Sequence, residues 1–232
     1  MIYIFDIDGT LTPSRDKMNS DFQKFFLSFI QKNRVWLISG SDKEKTIEQI
    51  GNEVWLSVER AYQCAGNMLF KNGELINENG FELRPYLHDK LMQLLSLSNV
   101  RKKFGTHIEA RPGMVNFSTI GRRCDKHSRK EYYKWDLEHQ ERAFMCDEIK
   151  TEFPWLDATI GGEISIDIYP KGRDKGQIVD DVDDDFTFFG DRLEKGGNDY
   201  PVFKKVQTQK IAGVTFYNVK SWEDTYNILS SI

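Results

Sequence analysis

Two aspartates, Asp6 and Asp8, follow the apolar stretch 2–5 near the start of the chain, and Gly9 and Thr10 come next. Like charges this close repel each other, so a cation bound between them would favour the arrangement. Mg²⁺ prefers carboxylate and carbonyl oxygens and often binds phosphate as a further ligand. With it bound, one carboxylate can attack phosphorus and the other can act as general acid and then general base. The alternative is an ordinary turn after a strand, with Asp8 and Gly9 as turn residues.

The elements that must hold this pair are indicated by the hydrophobic pattern. Strand, helix, strand and helix are predicted in that order, over residues 2–5, 20–32, 35–38 and 42–50. This order predicts a parallel sheet that is covered by helices on both faces. In such sheets the active site lies beyond the carboxyl ends of the strands, and Asp6 and Ser39 are both placed at such ends.

A different pattern begins near Gly80. It predicts a helix, a hairpin, a long helix and a strand with one buried and one polar face, over residues 87–97, 107–120, 128–153 and 163–169. The first pattern then returns, with a helix near 176–182, strands at 186–189 and 211–214, and a helix near 222–229. We therefore predict an α/β protein with a core domain of residues 1–79 and 173–232. An α+β domain with an antiparallel sheet, residues 80–172, is inserted into it.

Composition argues against several classes of protein. The net charge of −4 gives no general attraction to nucleic acid or to an anionic membrane. No apolar run is long enough to span a bilayer, and no signal peptide is evident, because the first predicted strand begins at Ile2. The cysteines Cys64, Cys124 and Cys146 have no metal-binding spacing and cannot all pair. These features predict a cytoplasmic protein with reduced thiols.

The segment DIDGTLT, residues 6–12, resembles the first motif of the haloacid dehalogenase (HAD) superfamily of phosphotransferases. The resemblance implies an aspartyl-phosphate intermediate on Asp6 and protonation of the leaving group by Asp8. Ser39 matches the residue that holds the phosphoryl oxygens, although Ser41 is an alternative for this role. Lys175 matches the lysine that neutralises charge between the phosphate and the nucleophile.

The acidic motif of this superfamily also has a counterpart. Asp191 follows the predicted strand 186–189, and Asn198 and Asp199 complete the motif. The resemblance implies an Mg²⁺ site formed by Asp6, the Asp8 carbonyl and Asp191, with Asn198 and Asp199 behind these ligands.

Longer segments resemble one family within this superfamily, the eukaryotic-type phosphomannomutases. The similar segments are EARPGMVNFSTIGR, GGEISIDIYPKGRDKG and FFGDRLEKGGNDYPVF, at residues 109–122, 161–176 and 188–203. Arg15 lies where that family has a substrate arginine. The resemblance implies a Rossmann-like core with a specificity-determining cap, and a homodimer that forms through the cap.

A hexose-phosphate mutase must also hold a second phosphate, and arginine suits this task because its planar fork binds phosphate bidentately. Arg111, Arg122 and Arg129 match the family's phosphate-binding arginines by position. For the basic residues around 122–130, the alternative is a solvated helix face. Ser165 and Asp167 lie two apart on the polar face of a predicted strand, which suits hydrogen bonds to sugar hydroxyls.

The resemblance implies an enzyme that interconverts hexose 6-phosphate and hexose 1-phosphate, with mannose preferred, and that uses Mg²⁺ and hexose 1,6-bisphosphate as activator. An alternative is a sugar-phosphate phosphatase with the same nucleophile, Asp6, and water as the phosphoryl acceptor. A third hypothesis is a binding protein without activity. The complete set of Asp6, Asp8, Lys175 and Asp191 argues against that third hypothesis.

Overall fold

The strand β1 (Ile2–Asp6) is an interior strand of a seven-stranded sheet in the computed structural model, which describes residues 1–232. In spatial order the strands of this sheet are Val214–Asn218 (β11), Phe186–Gly190 (β10), β1, Arg34–Ile38 (β2), Arg60–Gln63 (β3), Met68–Lys71 (β4) and Glu74–Glu78 (β5). The five strands from β11 to β3 are parallel, and β4 and β5 continue the sheet as antiparallel strands. The carboxyl ends of β10, β1 and β2 therefore meet at one edge of the sheet.

Helices cover both faces of this sheet, because side chains alternate between its faces along each strand. On β2, Val35 and Leu37 belong to one apolar core, whereas Trp36 and Ile38 belong to the other. The helices of this unit are Ser20–Ile30 (α1), Lys43–Ile50 (α2), Asn52–Ser57 (α3), Tyr200–Gln209 (α7) and Trp222–Leu229 (α8).

A second unit comprises residues 80–172, whereas residues 1–79 and 173–232 form the first. We call these the insert and the core unit. The insert has a four-stranded antiparallel sheet in the order Ile108–Arg111 (β6), Met114–Phe117 (β7), Ser165–Pro170 (β9) and Leu156–Gly161 (β8). Its helices are Pro85–Leu97 (α4), Lys126–His139 (α5) and Glu141–Glu152 (α6). One apolar core joins this sheet to α4 and α6.

The predicted fold class is confirmed, since the protein combines a Rossmann-like core and its mostly parallel sheet with an inserted α+β unit. Three predicted elements were wrong in detail. The long helix predicted over 128–153 is two helices, because Gln140 adopts a left-handed conformation with φ 54° between α5 and α6. The strand predicted at 211–214 is β11, Val214–Asn218, because a turn with Lys210 at φ 54° precedes it. The helix predicted near 176–182 is a 3₁₀ helix, Lys175–Asp181.

None of the helices combines the length and the apolar character that a membrane-spanning helix requires.

Candidate active site

A buried ion pair lies at the carboxyl edge of the core sheet. Lys175 Nζ donates hydrogen bonds to Asp6 Oδ1 at 2.6 Å and to Asp199 Oδ1 at 2.7 Å. Asp6 is the last residue of β1, and Lys175 begins the 3₁₀ helix after the insert. Burial alone would lower the pKa of Lys175, but the charges of Asp199 and Asp6 outweigh it and raise that pKa. Lys175 therefore stays protonated between two carboxylates.

Asp191 completes a cluster of three carboxylates with Asp6 and Asp199, whose oxygens lie within 4.8 Å of one another. Burial raises the pKa of Asp6 well above its usual range, Lys175 opposes this, and the charges of Asp199 and Asp191 add to it. Burial, together with the charge of Asp199, raises the pKa of Asp191 to about 7. Lys175 and, for Asp191, the charge of Arg192 oppose these shifts, but the pKa of both Asp6 and Asp191 stays raised.

This cluster fits a divalent cation. Its donors are all carboxylate oxygens, the chemistry that Mg²⁺ prefers, and a cation would relieve the repulsion among them. Gly9 makes room at the site, because a Cβ added there would lie 2.5 Å from Asp191 Oδ2. Its φ of 86° is also one that other residues adopt rarely. In addition, Asn198 Oδ1 is a buried acceptor without a hydrogen-bond partner in the protein.

Asp8 lies half-buried in the loop between β1 and α1. Its Oδ1 accepts a 2.7 Å hydrogen bond from the backbone nitrogen of Arg15. Arg15 adopts a left-handed conformation with φ 56°, which is unusual for a residue other than glycine. The structure therefore joins the predicted acid–base residue to the predicted substrate arginine through the main chain.

The loop after β2 carries the two candidate serines, and both are buried. Ser39 Oγ accepts a 3.0 Å hydrogen bond from the backbone nitrogen of Ser41, which leaves the Ser39 hydroxyl hydrogen able to donate elsewhere. A third hydroxyl, Thr10 Oγ1, is fully buried without a partner in the protein. Buried polar atoms normally have a partner, so Thr10 Oγ1 is a candidate donor to a ligand oxygen.

The insert presents one polar face of its sheet, opposite the face that packs on α4 and α6. A row across four strands consists of Glu109, Asn116, Asp167 and Thr159, which are paired in register. Asn116 Nδ2 donates a 2.6 Å hydrogen bond to Asp167 Oδ1. Gly161 allows this packing, since a Cβ there would lie 2.5 Å from Asp167 Oδ2. Asp167 is therefore fixed in orientation and not a mobile surface carboxylate.

Two predicted arginines meet on this face, around Glu109. Arg111 Nε donates to Glu109 Oε2 at 3.0 Å, and Arg122 Nε lies 3.6 Å from the same oxygen. Arg122 Nη1 donates to Ser165 Oγ at 2.8 Å, so a predicted phosphate residue contacts a predicted sugar residue. Arg122 Nη2 is buried and has no partner in the protein. The cluster of Arg111, Arg122 and Glu109 therefore retains a donor for an external anion.

Arg129 takes a different position, on α5, where its Nη1 lies 3.7 Å from Glu163 Oε2. Its side chain is mostly buried, which differs from a solvated helix face. The structure thus brings two of the three predicted arginines together and places the third beside another carboxylate.

Sequence reasoning missed two side chains that organise these sites. Asp199 was expected behind the metal ligands, yet its carboxylate bonds directly to Lys175 and belongs to the acidic cluster. Glu109 was not singled out, although it contacts both arginines. Its place at i and i+2 with Arg111 on a predicted strand is a signal that could have identified it, because such residues share one face.

Most of the chain is similar to one known protein family. The model of the family described as eukaryotic phosphomannomutase matches residues 22–232. The phosphomannomutase of Saccharomyces cerevisiae is 34% identical over 243 residues, which cover 100% of this chain and 93% of that protein. The phosphomannomutase of Dendrobium officinale is 35% identical over 220 residues, which cover 90% of this chain and 86% of that protein. Phosphomannomutase 1 of Mus musculus is 33% identical over 222 residues, covering 90% and 85%.

Solved structures resemble the fold at lower identity. The C-terminal domain of Candida albicans trehalose-6-phosphate phosphatase has a TM-score of 0.62 and 20% identity, and the match covers 90% of this chain and 74% of that one. A trehalose-6-phosphate phosphatase related protein has a TM-score of 0.61 and 14% identity, with 100% and 96% covered. These likenesses concern the fold alone. The family model and the relatives above 30% identity identify the family as well. This chain is an enzyme that belongs to the eukaryotic phosphomannomutase family.

Proposed function

We propose that this enzyme interconverts hexose 6-phosphate and hexose 1-phosphate, with mannose preferred, through an aspartyl-phosphate on Asp6 and a hexose 1,6-bisphosphate intermediate. Phosphorylated Asp6 transfers its phosphoryl group to a hexose monophosphate and so forms the bisphosphate. The bisphosphate reorients, and Asp6 then takes back the other phosphoryl group. The bisphosphate also serves as the activator, because it phosphorylates Asp6 at the start.

Each residue of the core cluster has a role in this scheme. Asp6 attacks phosphorus, and Lys175 offsets the charge of Asp6 and of the incoming phosphoryl oxygens. Asp8 gives a proton to the leaving oxygen and removes one from the attacking hydroxyl in the reverse step. Ser39 or Ser41, together with Thr10, donates hydrogen bonds to the phosphoryl oxygens.

The metal proposed for this site is Mg²⁺, held by Asp6, the Asp8 carbonyl and Asp191, with Asn198 and Asp199 behind them. When bound, it supplies positive charge that stabilises the charge developing on the transferring group. The acidic cluster and the close approach of the Asp191 carboxylate to Gly9 support this assignment.

We propose that residues 80–172 act as the cap that sets substrate specificity. Arg111, Arg122 and Arg129 bind the phosphate that is not being transferred, and Ser165 and Asp167 bind sugar hydroxyls. Arg15 is proposed as a further substrate residue.

The observation that favours a mutase over a phosphatase is the arginine cluster around Glu109. In this cluster Arg122 Nη2 is buried and has no hydrogen-bond partner in the protein. A buried cationic donor of this kind suits a second phosphate, which hydrolysis of a monophosphate does not require.

Phosphorus NMR tests the proposal directly. The enzyme is incubated with Mg²⁺ and mannose 1-phosphate, with and without hexose 1,6-bisphosphate, and Asp6→Asn serves as the inactive control. We expect mannose 6-phosphate to form when bisphosphate is present, and at a higher rate than the 6-phosphate formed from glucose 1-phosphate. Release of inorganic phosphate alone would contradict the mutase proposal and show that the enzyme is a sugar-phosphate phosphatase.

We also propose that the enzyme is a homodimer and that it is located in the cytoplasm. The family resemblance supports a homodimer formed through the insert, which analytical ultracentrifugation would detect. A cytoplasmic location is supported by the three cysteines, none of which forms a disulfide.

A further inference from the structure

The two carboxylate oxygens of Asp8 have different environments. Oδ1 accepts two hydrogen bonds, from the backbone nitrogen of Arg15 at 2.7 Å and from Gln49 Nε2 at 3.0 Å. Oδ2 accepts no hydrogen bond from the protein. An aspartate carboxylate ordinarily turns over a broad range about its last torsion angle. Here two donors on one oxygen restrict that rotation.

Gln49 holds its position through a polarised chain of hydrogen bonds. Thr12 Oγ1 donates to the carbonyl of Ile7 at 3.3 Å, so its lone pairs remain to accept from Gln49 Nε2, which lies 3.1 Å away. Both hydrogens of the Gln49 amide nitrogen are therefore used, one on Thr12 and one on Asp8. Because both partners accept here, the amide has one chemically sensible orientation.

The main chain reinforces this placement. Gln49 lies in the last turn of α2, is almost wholly buried, and accepts a 2.8 Å hydrogen bond from the backbone nitrogen of Met18 through its carbonyl oxygen. It therefore contacts both ends of the loop that contains Asp8 and Arg15. An uncharged amide can do this without adding a charge beside the acidic cluster.

We propose that Gln49 is a positioning residue that anchors Oδ1 of Asp8 and so presents Oδ2 as the oxygen that exchanges the proton. This inference rests on the proposed function. As the bond from Asp6 to phosphorus forms and the bond to the sugar oxygen breaks, the proton on Oδ2 moves to that sugar oxygen. In the reverse transfer, Oδ2 takes the proton from the sugar hydroxyl as the hydroxyl oxygen bonds to phosphorus and the bond between Asp6 and phosphorus breaks.

Gln49→Met tests this assignment, because methionine has a similar side-chain length but lacks the two N–H groups that donate to Asp8 and Thr12. The full-length enzyme is compared on two phosphoryl donors. Transfer from a hexose phosphate expels an alkoxide that needs a proton, whereas p-nitrophenyl phosphate expels a stable phenolate that does not. We expect the kcat for hexose phosphate to fall about 10- to 100-fold with its KM nearly unchanged. The single-turnover release of p-nitrophenolate should stay near the wild-type rate.

Gln23→Met is the matched control, because Gln23 Nε2 donates to the carbonyl of Ile50 at 2.7 Å, also at the end of α2, but does not contact Asp8. It should leave both rates near wild type. Equal losses on both donors in Gln49→Met would make Gln49 merely structural, and no loss on either would remove it from the mechanism. Both results leave the proposed function intact. That function fails instead if Asp6→Asn still transfers phosphoryl groups from either donor.

Discussion

Lys175 donates a 2.6 Å hydrogen bond to Asp6, and their side chains are only 2% and 3% exposed although 169 positions separate them in the chain. The pair brings together the end of β1 and the start of the segment that follows the insert. It also leaves Asp6 beside Asp191 and Asp199, where Lys175 is the cation that bonds to both Asp6 and Asp199.

Removal of Lys175 should therefore affect the chemistry more than the binding of sugar. We expect Lys175→Met to lower kcat by about 100- to 1000-fold, since a preorganised charge that stabilises the transferring group is lost. Steady-state kinetics of the mutase reaction measures the effect. Lys205→Met, which breaks the pair of Lys205 with Asp180 on the surface of the core unit, is the control and should be near wild type. A Lys175→Met enzyme with near-normal kcat would contradict this role.

Arg122 is expected to act on binding. Arg122→Met should raise the KM for hexose 1,6-bisphosphate by about 10- to 100-fold, because a charge-assisted hydrogen bond to phosphate contributes about 1.5–3 kcal/mol. Hydrolysis of p-nitrophenyl phosphate, which has a single phosphate, should change little. Arg123→Met is the neighbouring control, since the Arg123 side chain is exposed. Equal losses with both substrates would place Arg122 outside the second phosphate site.

Removal of the Asp191 carboxylate should stabilise the metal-free protein but reduce the stability that it gains from bound Mg²⁺. Asp191→Asn relieves repulsion in the acidic cluster, so we expect the metal-free protein to unfold at a higher temperature than wild type. Wild type should gain about 2.7 kcal/mol of stability at an Mg²⁺ concentration 100 times its Kd, and the variant should gain much less. Calorimetry with EDTA and with Mg²⁺ measures both quantities. An equal gain from Mg²⁺ in the two proteins would exclude Asp191 as a ligand.

A buried ion pair in the insert should dominate its stability. Arg142 Nε donates to Asp136 Oδ2 at 2.8 Å, and Arg142 Nη1 donates to the carbonyl of Gly162 at 2.9 Å. Arg142→Met strands a buried carboxylate, so the free energy of unfolding should fall by about 3–5 kcal/mol. Urea denaturation measures the loss. Lys150→Met breaks an exposed pair with Asp147 and should cost at most about 0.5 kcal/mol. Comparable losses in both variants would refute the argument.

Acid should weaken the ion pair of Arg34, the first residue of β2, with Glu59. Arg34 donates hydrogen bonds to Glu59, and these lower the pKa of Glu59 below its usual value. The stabilisation is therefore complete above the unfolded-state pKa of about 4.3 and is lost as pH falls through the lower folded-state pKa. Because both groups are partly exposed, Glu59→Gln should cost about 0.5 kcal/mol at pH 7. Denaturation from pH 7 to pH 3 should show the difference from wild type vanish, and a constant difference would contradict the linkage.

Local patterns in the sequence located the residues that end strands. Asp6 and Ser39 follow apolar runs of four residues, and parallel strands bring such ends together. The contact of Asp199 with Lys175 could not be predicted in this way, because it depends on how the loop after β10 returns toward the sheet. Gln49 is equally hidden, since its position in α2 is compatible with an ordinary polar residue of an amphipathic helix.

The limits of helix prediction have a similar origin. Residues 128–153 maintain a helical pattern, and no glycine or proline marks the break at Gln140. The break coincides with Arg142, whose backbone nitrogen and side chain both bond to Asp136 across the turn. Arg142 also donates to the carbonyl of Gly162, 20 positions away, at 2.9 Å. A contact this distant lies outside the local window and can override local helix propensity.

The order of strands in the core sheet has a consequence for how the chain matures. β1 is paired with β2 nearby in sequence, but also with β10, so that Ile2 lies opposite Phe186. During synthesis β1 therefore leaves the ribosome long before this neighbour exists, and the insert emerges in between. Such distant pairing slows folding and leaves a strand edge exposed in the meantime. Until residues 186–190 have left the ribosome, this edge of β1 is a place where the nascent chain can pair wrongly or aggregate.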